Sequence, residues 1–511
     1  MKKIILVSCI LSLVLAASAK IEMGTPFSDG AVLQRGMKVP VWGKVTPPPG
    51  KSQRTVAVAF GGQEKSATAD PFTGCWRVEL DPMEASKESR TLKVRELIAG
   101  VFLDDVIDVV EVKDVLVGEV WFASGQSNME CPIVGGNTRY RDGKGALMTA
   151  MTRLPFVRFA KNNKQWSVAS ERAKSQGWKK YEPNSFAGYT LSAVAFYYAR
   201  ELYFALDVPI GIVDSSWGGT NIDAWTPRCG YEGCDSTIAE TAAYPVKRDW
   251  VKESDAKGPI REAHQQPTVL FNGMVASWAP MAMRGFIWYQ GCHNSGESAL
   301  YRAKLHALYN GWSKAFANPD LKLYLVQLAP YTQNWMGICM AQNQFVAEQG
   351  NAALAVTADV GNFDDIHPND KETVAQRLAV HALKRDYGFE ISEDDSPVFK
   401  SADFADGKVE MDFDHVKGWY VYAPNRSRDT AFEVAGTNGV WTVAKIVNYR
   451  QAKGKDGKPT ETDFIDGARI VVAAEGVADP VKVRYMGKVR TAGTLYNQAN
   501  LPLGPFEATK K

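Results

Sequence analysis

Long basic runs, zinc-type cysteine spacing and low-complexity stretches are all missing from this sequence. Without a basic run nothing can grip a polyphosphate backbone, which argues against nucleic acid as a partner. The formal net charge is only +2, and two of the positive charges, Lys2 and Lys3, sit in a leader that reads as removable, so the rest of the chain is near neutral. Seven cysteines in 511 residues are too few to act as a disulfide scaffold. Their spacing fits no zinc site. Cys229 and Cys234, in CGYEGC, are close enough to pair across a short loop in an oxidising compartment. The others read equally well as buried free thiols. No segment beyond the leader has the roughly 20 apolar residues that a membrane-spanning helix needs.

The leader itself, MKKIILVSCILSLVLAASA, joins two lysines, an apolar stretch from Ile4 to Leu15 and the small triplet Ala17-Ser18-Ala19. These are the three regions of a secretory signal peptide, and they predict cleavage near Ala19 and a secreted or periplasmic protein. The chain beyond the leader is too long for one hydrophobic core. Residues 20–113 carry short apolar runs (VPVWGKV, TVAVAF, CWRVEL, TLKVRE, VIDVVEV) between Gly, Pro, Asp and Ser clusters, the pattern of a β-sandwich. From 114 to 392 strand-like runs such as VLVGEVWFA, PIGIVD, RGFIWYQ and LKLYLVQL alternate with helical ones such as LSAVAFYYARELYFAL. That alternation predicts an α/β region with a mostly parallel sheet covered on both faces. Residues 393–511 return to short strands and predict a C-terminal β region.

In parallel sheets functional groups gather in the loops at the carboxyl ends of strands. Four polar clusters sit there: Gly125-Gln126-Ser127-Asn128, Ser215-Ser216-Trp217-Gly218-Gly219-Thr220, Gly291-Cys292-His293-Asn294 and Asp364-Asp365-Ile366-His367-Pro368. Together they hold the parts of an acyl-transfer site. A serine hydroxyl needs a base to take its proton, an imidazole suits that task at neutral pH, and a carboxylate must orient the imidazole. Developing charge on the carbonyl oxygen needs fixed N–H donors. Ser127, His367 and Asp364 fit the first three roles, with Asp365 a rival to Asp364. Gly218 or Gly219, and Asn294 fit the donor role. Gln126, His293 and Trp217 are possible substrate contacts. The three-residue step from Asp364 to His367, and a methionine where G-x-S-x-G needs its second glycine, argue against the α/β-hydrolase plan.

In this order the GQSN, WGGT, G-x-x-N and D-x-x-H stretches resemble the four blocks of SGNH hydrolases, and more closely the sialate O-acetylesterase group of carbohydrate acetylesterases. FSDGAVLQRGMKVPVWG, LFNGMVASWAPMAMRGFIWYQG, FEVAG, VKVRYM and LYNQANLPLGPF resemble further segments of that group, so the likeness covers most of the chain. It implies a flavodoxin-like, three-layer SGNH domain flanked by β-sandwich-type N- and C-terminal regions, with no cofactor and no metal. It also implies Ser127 as nucleophile, His367 as base, Asp364 as its orienter, and an oxyanion hole of Ser127 N–H, a WGGT glycine and Asn294. The activity implied is removal of O-acetyl groups from a glycan, sialic acid or another acetylated sugar. One departure stands out: the group usually reads WYQGES or WYQGEA, with glutamate where this chain has Cys292. Two other readings compete. One is a non-catalytic carbohydrate-binding protein with a degenerate centre. The other is a glycoside hydrolase using paired carboxylates such as Glu130 and Asp359.

Overall fold

Alternation of apolar and polar residues shapes the first hundred residues. The computed structural model describes residues 20–46, 48–49, 53–98, 105–135, 142–183, 191–234, 263–422, 431–453 and 459–511, and the leader lies outside them. β1 (Lys20–Met23), β3 (Val39–Thr46) and β6 (Cys75–Leu80) form a three-stranded antiparallel sheet. In β6 Trp76, Val78 and Leu80 are buried while the residues between them face water, as expected of a sheet with one covered face. β2 (Val32–Gln34), β4 (Arg54–Phe60), β5 (Gln63–Thr68) and β7 (Ser86–Ile98) join a different sheet through β8 (Asp105–Gly125).

β8 is 21 residues long, and the expected division at 113/114 falls inside it. Two of the strands expected from sequence, VIDVVEV and VLVGEVWFA, are therefore one. Asp114 has φ +54, and the register on β7 slips there, so a bulge absorbs the break and the strand continues. The first part of β8 pairs antiparallel with β7, and the part from Glu119 onward lies between two parallel neighbours. These are β11 (Ile210–Ser216) and β12 (Gly285–Tyr289). With β9 (Val157–Asn162), β10 (Ser175–Lys180), β13 (Lys322–Val326) and β14 (Ala352–Ala355) the order across the sheet is β10-β9-β11-β8-β12-β13-β14. All these pairings are parallel except β10 with β9. The region is α/β, as expected.

Both faces of this sheet are covered. Val120, Trp121, Phe122 and Ala123 are all fully buried, and successive side chains of a strand point to opposite faces. Trp121 meets Tyr198 of the Ala193–Leu206 helix edge to face, with ring centroids 5.3 Å apart. Phe122 meets Trp312 of the Ser298–Ala315 helix at 5.2 Å. Beyond residue 397, the described strands form three four-stranded antiparallel sheets. Their core includes Phe399 stacked on Phe506 and Phe413 edge-on to Trp419.

A buried charge ties the first two regions together. Glu119 in β8 is fully buried and accepts hydrogen bonds from Gln34, Arg35, Arg284 and the Tyr387 hydroxyl. Burial alone would favour its neutral form, but Arg284 and Arg35 hold its carboxyl below the ordinary range. Substituting Glu119→Ala leaves two guanidiniums without their carboxylate and is expected to cost about 3 kcal/mol. A shift of the urea midpoint at unchanged slope measures it.

Candidate active site

The site is built where β8 and β12 end side by side. The chain leaves β8 toward β9 and β11 on one side, and leaves β12 toward β13 on the other. A crevice outside such a switch point is where parallel sheets bind ligands. Gly125 closes β8 with φ +139, and a Cβ there would overlap the Tyr289 carbonyl oxygen, so only glycine fits. Gln126 then bonds twice to the neighbouring strand end. Its N–H donates to Tyr289 O at 3.0 Å, and its Oε1 accepts from Gly291 N at 3.0 Å. Ser127 follows as the first residue of a single helical turn, Ser127–Glu130.

A cavity of about 1120 Å³ opens above this turn. Gln126, Ser127, Gly218, Gly219, His293, Asp364, Asp365 and His367 all line it, though their chain positions span 126 to 367. His367 Nε2 lies 2.9 Å from Ser127 Oγ. Behind the ring, Nδ1 is 3.5 Å from Asp365 Oδ1, and the same oxygen accepts the His367 backbone N–H at 2.9 Å. Asp364, expected to orient the imidazole, does not do so. Its carboxylate is 79% exposed and pairs with Arg490 at 2.6 Å. Neighbours in a tight turn point apart, and here Asp365 turns inward.

The donor set also differs from expectation. Gly218 presses against the serine: an added Cβ would sit 3.2 Å from Ser127 Cβ and 3.1 Å from Glu130 Oε2. Its N–H, however, donates to that Glu130 oxygen at 2.6 Å. Gly219 borders the cavity with φ +73, and an added Cβ there meets nothing within 4 Å. Asn294 is 1% exposed and does not line the cavity. Glu297, three residues on, takes its amide N–H at 2.8 Å. Its Oδ1 accepts from Ile222 N and Gln290 Nε2. Asn294 is therefore a brace between two loops rather than a donor facing the cavity.

Trp217 does not line the cavity either. Its ring stacks on His264 at 4.9 Å and carries the Lys164 ammonium 5.7 Å from its centroid. Lys164 lines the cavity and pairs with Glu130 Oε1 at 2.6 Å. Glu130 and Asp359 do not form a carboxylate pair across the cavity, because Asp359 is clamped by Arg377 at 2.7 and 2.8 Å. Cys292 is a wall residue whose thiol burial pushes up to about 12, so it stays neutral. Cys229 and Cys234 are free thiols, directed at the Gly311 and Gly230 carbonyls respectively.

Electrostatics set the histidine's protonation. Burial and then the positive charge of Lys371 lower the His367 pKa from 6.5, against the opposing pull of Asp365 and Glu130. Sequence alone suggests an ordinary imidazole; the surroundings make it a weaker base that stays neutral to lower pH. Lys371 is not found from sequence, since a lysine in a helical stretch passes for a solvated charge. Its position one residue past the Asp370 N-cap was the available signal, because the helix dipole disfavours cations there.

In sequence and fold the chain is similar to known carbohydrate esterases. The model of a family described as carbohydrate esterase, sialic acid-specific acetylesterase matches residues 117–384. The sialate O-acetylesterase of Homo sapiens is 28% identical over 386 residues, covering 68% of this chain and 67% of that one. That of Mus musculus is 27% identical over 396 residues, covering 68% and 70%. Among solved structures, a carbohydrate acetylesterase from Xanthomonas citri superimposes with a TM-score of 0.77 at 30% identity, over 96% of this chain and all of the other. With more than half of its length matched by the family model and its fold shared with an acetylesterase, the chain belongs to the sialic acid-specific acetylesterase family of carbohydrate esterases.

Proposed function

We propose that this protein removes O-acetyl groups from carbohydrates through an acetyl-serine intermediate. The observation that carries the reading is the 2.9 Å approach of His367 Nε2 to Ser127 Oγ inside an open cavity. In the first step Ser127 Oγ attacks the acetyl carbonyl carbon while its proton passes to His367 Nε2. The electron pair of the carbonyl moves onto oxygen, giving a tetrahedral oxyanion. Ser127 and Gly219 both line the cavity, and their backbone N–H groups are the donors for that charge in this reading. Collapse expels the sugar oxygen, which takes the proton from the imidazolium, and leaves acetyl-Ser127. Water then attacks with His367 as base, and acetate departs with Ser127 restored. Asp365 holds the imidazole with Nε2 toward the serine and stabilises its charged form.

The same reading takes β11-β8-β12-β13-β14 as the core of a flavodoxin-like SGNH domain. In chain order these are the second, first, third, fourth and fifth strands, a doubly wound order. The N- and C-terminal sheets are read as β-sandwich-type modules on either side, and the leader as a signal for export. The substrate is an O-acetylated glycan. A cavity of about 1120 Å³ leaves room for sugar well beyond the acetyl group. A binding protein without catalysis is the competing reading, and an activated serine distinguishes the two.

Ser127→Ala is expected to lower acetate release at least about 10³-fold with the fold intact by circular dichroism. Fluorophosphonate is expected to label the native protein and not this variant; labelling of neither, with no acetate release, would leave only the binding reading. Asp365→Asn should reduce kcat/KM by about 10²-fold or more, whereas Asp364→Asn, at the rim, should stay within about threefold. The reverse ranking would return the orienting role to Asp364. Because a base works only unprotonated, activity falls as pH drops through the His367 pKa. The lowered value puts the acid limb of kcat/KM below the ordinary imidazole range near ~6.5, read from a pH–rate profile.

A further inference from the structure

Lys371 opens the Lys371–Arg385 helix and is fully buried, with 0% of its surface exposed. Two physical rules oppose a lysine there. The helix dipole disfavours a cation in the first turn. A buried ammonium is costly without a counter-charge, and among the described residues no carboxylate lies within the 4.0 Å of an ion pair. Instead Nζ donates to Asn128 Oδ1 at 2.6 Å and lies 5.4 Å from the centroid of the Tyr289 ring. The pairing settles how the Asn128 amide is turned. An ammonium has only protons to give, so the amide must present its oxygen to Lys371. Its Nδ2 then points the other way, donating at 3.1 Å to the carbonyl of Ile366, the residue before His367. Asn128 is the residue after Ser127. One side chain therefore links the serine turn, the histidine loop and the start of the helix.

We infer that Lys371 is a positioning residue: its ammonium locks the Asn128 amide, which holds the His367 loop against Ser127. The inference rests on the roles proposed above for Ser127 and His367. The charged groups around both side chains fit it. His367 faces Asp365 from its own loop and Glu130 from the serine turn, both favouring the imidazolium, with Lys371 opposing them. Lys371 faces Asp142 and Asp365, the Cys131 and Cys292 thiols and the Tyr289 phenol. Burial pushes the two thiols up to about 11 and 12, so neither supplies a negative charge. Burial lowers the Lys371 pKa, and falling pH favours its charged form.

The test is a pH–rate profile of 4-nitrophenyl acetate hydrolysis by the full chain and two variants, with folding checked by circular dichroism. Lys371→Met removes both lock and charge. It should lower kcat about tenfold with little change in KM, and move the acid limb up by roughly half a pH unit or more. Asn128→Leu removes the lock and keeps the charge, so kcat should fall while the limb stays near that of the native protein. A folded Lys371→Met with native kcat and native limb overturns the inference. Should that variant fail to fold, native kcat in Asn128→Leu overturns it, as does a native acid limb at or above the free imidazole range. Ser127→Ala keeps the outcomes apart. If it stays active, the proposed chemistry itself is wrong; if it is dead while Lys371→Met behaves as native, only the role of Lys371 falls.

Discussion

The close approach of two strand ends governs this site. Gly125 lies so near the Tyr289 carbonyl that no side chain fits between β8 and β12. The Gln126 side chain and backbone fasten the same junction from the other direction. Because that contact fixes where β8 stops, it fixes where Ser127 emerges and which way its hydroxyl faces. Trp217 N also donates to Gly125 O, so the glycine-rich loop after β11 is hung from the same residue. Three of the four loops are thus referenced to one point, and the fourth reaches it through Asn128.

The charges around the cavity form a pattern of neutral centre and charged surround. A neutral serine hydroxyl, a Cys292 thiol that burial keeps neutral and an imidazole whose charged form burial disfavours lie among Glu130, Asp365, Lys164 and Lys371. Of these side chains, the imidazole is the one that becomes charged during the proposed cycle. Its surroundings oppose that change from the lysine side and assist it from the carboxylate side. This is how a protein places a base between resting neutrality and transient charge. The Glu130 carboxylate has a second consequence, since it takes the Gly218 N–H that sequence offered as an oxyanion donor.

Much of this was legible from the chain. The four polar clusters could be found because each follows an apolar run of strand length, and parallel sheets place such loops at one edge. What failed did so for local reasons. Asp364 and Asp365 are adjacent, and sequence does not say which side of a turn faces inward; Arg490, 126 residues away, draws Asp364 outward. Asn294 looked like a free amide because nothing in G-C-H-N reveals that Glu297 will claim it. Cys292 carries no charge into the wall, so the carboxylates near the serine come from Glu130 and Asp365. Lys371 was hidden by its type, since burial of a lysine is a tertiary fact. The length of β8 was hidden by Asp114, which reads as a strand end and serves as a bulge.

That long strand changes what the N-terminal region is to the rest of the molecule. The family model begins at residue 117, partway along β8, where the backbone is already hydrogen-bonded to β2 and β7. A chain trimmed to that start would lose the partners of the strand's leading part and half the ligands of Glu119, leaving an open edge beside a stranded acid. The amino-terminal sheet is therefore not a bead on a string that recombination can swap at will. Its β2, β7, β4 and β5 strands are attached through β8, the strand that ends at the serine.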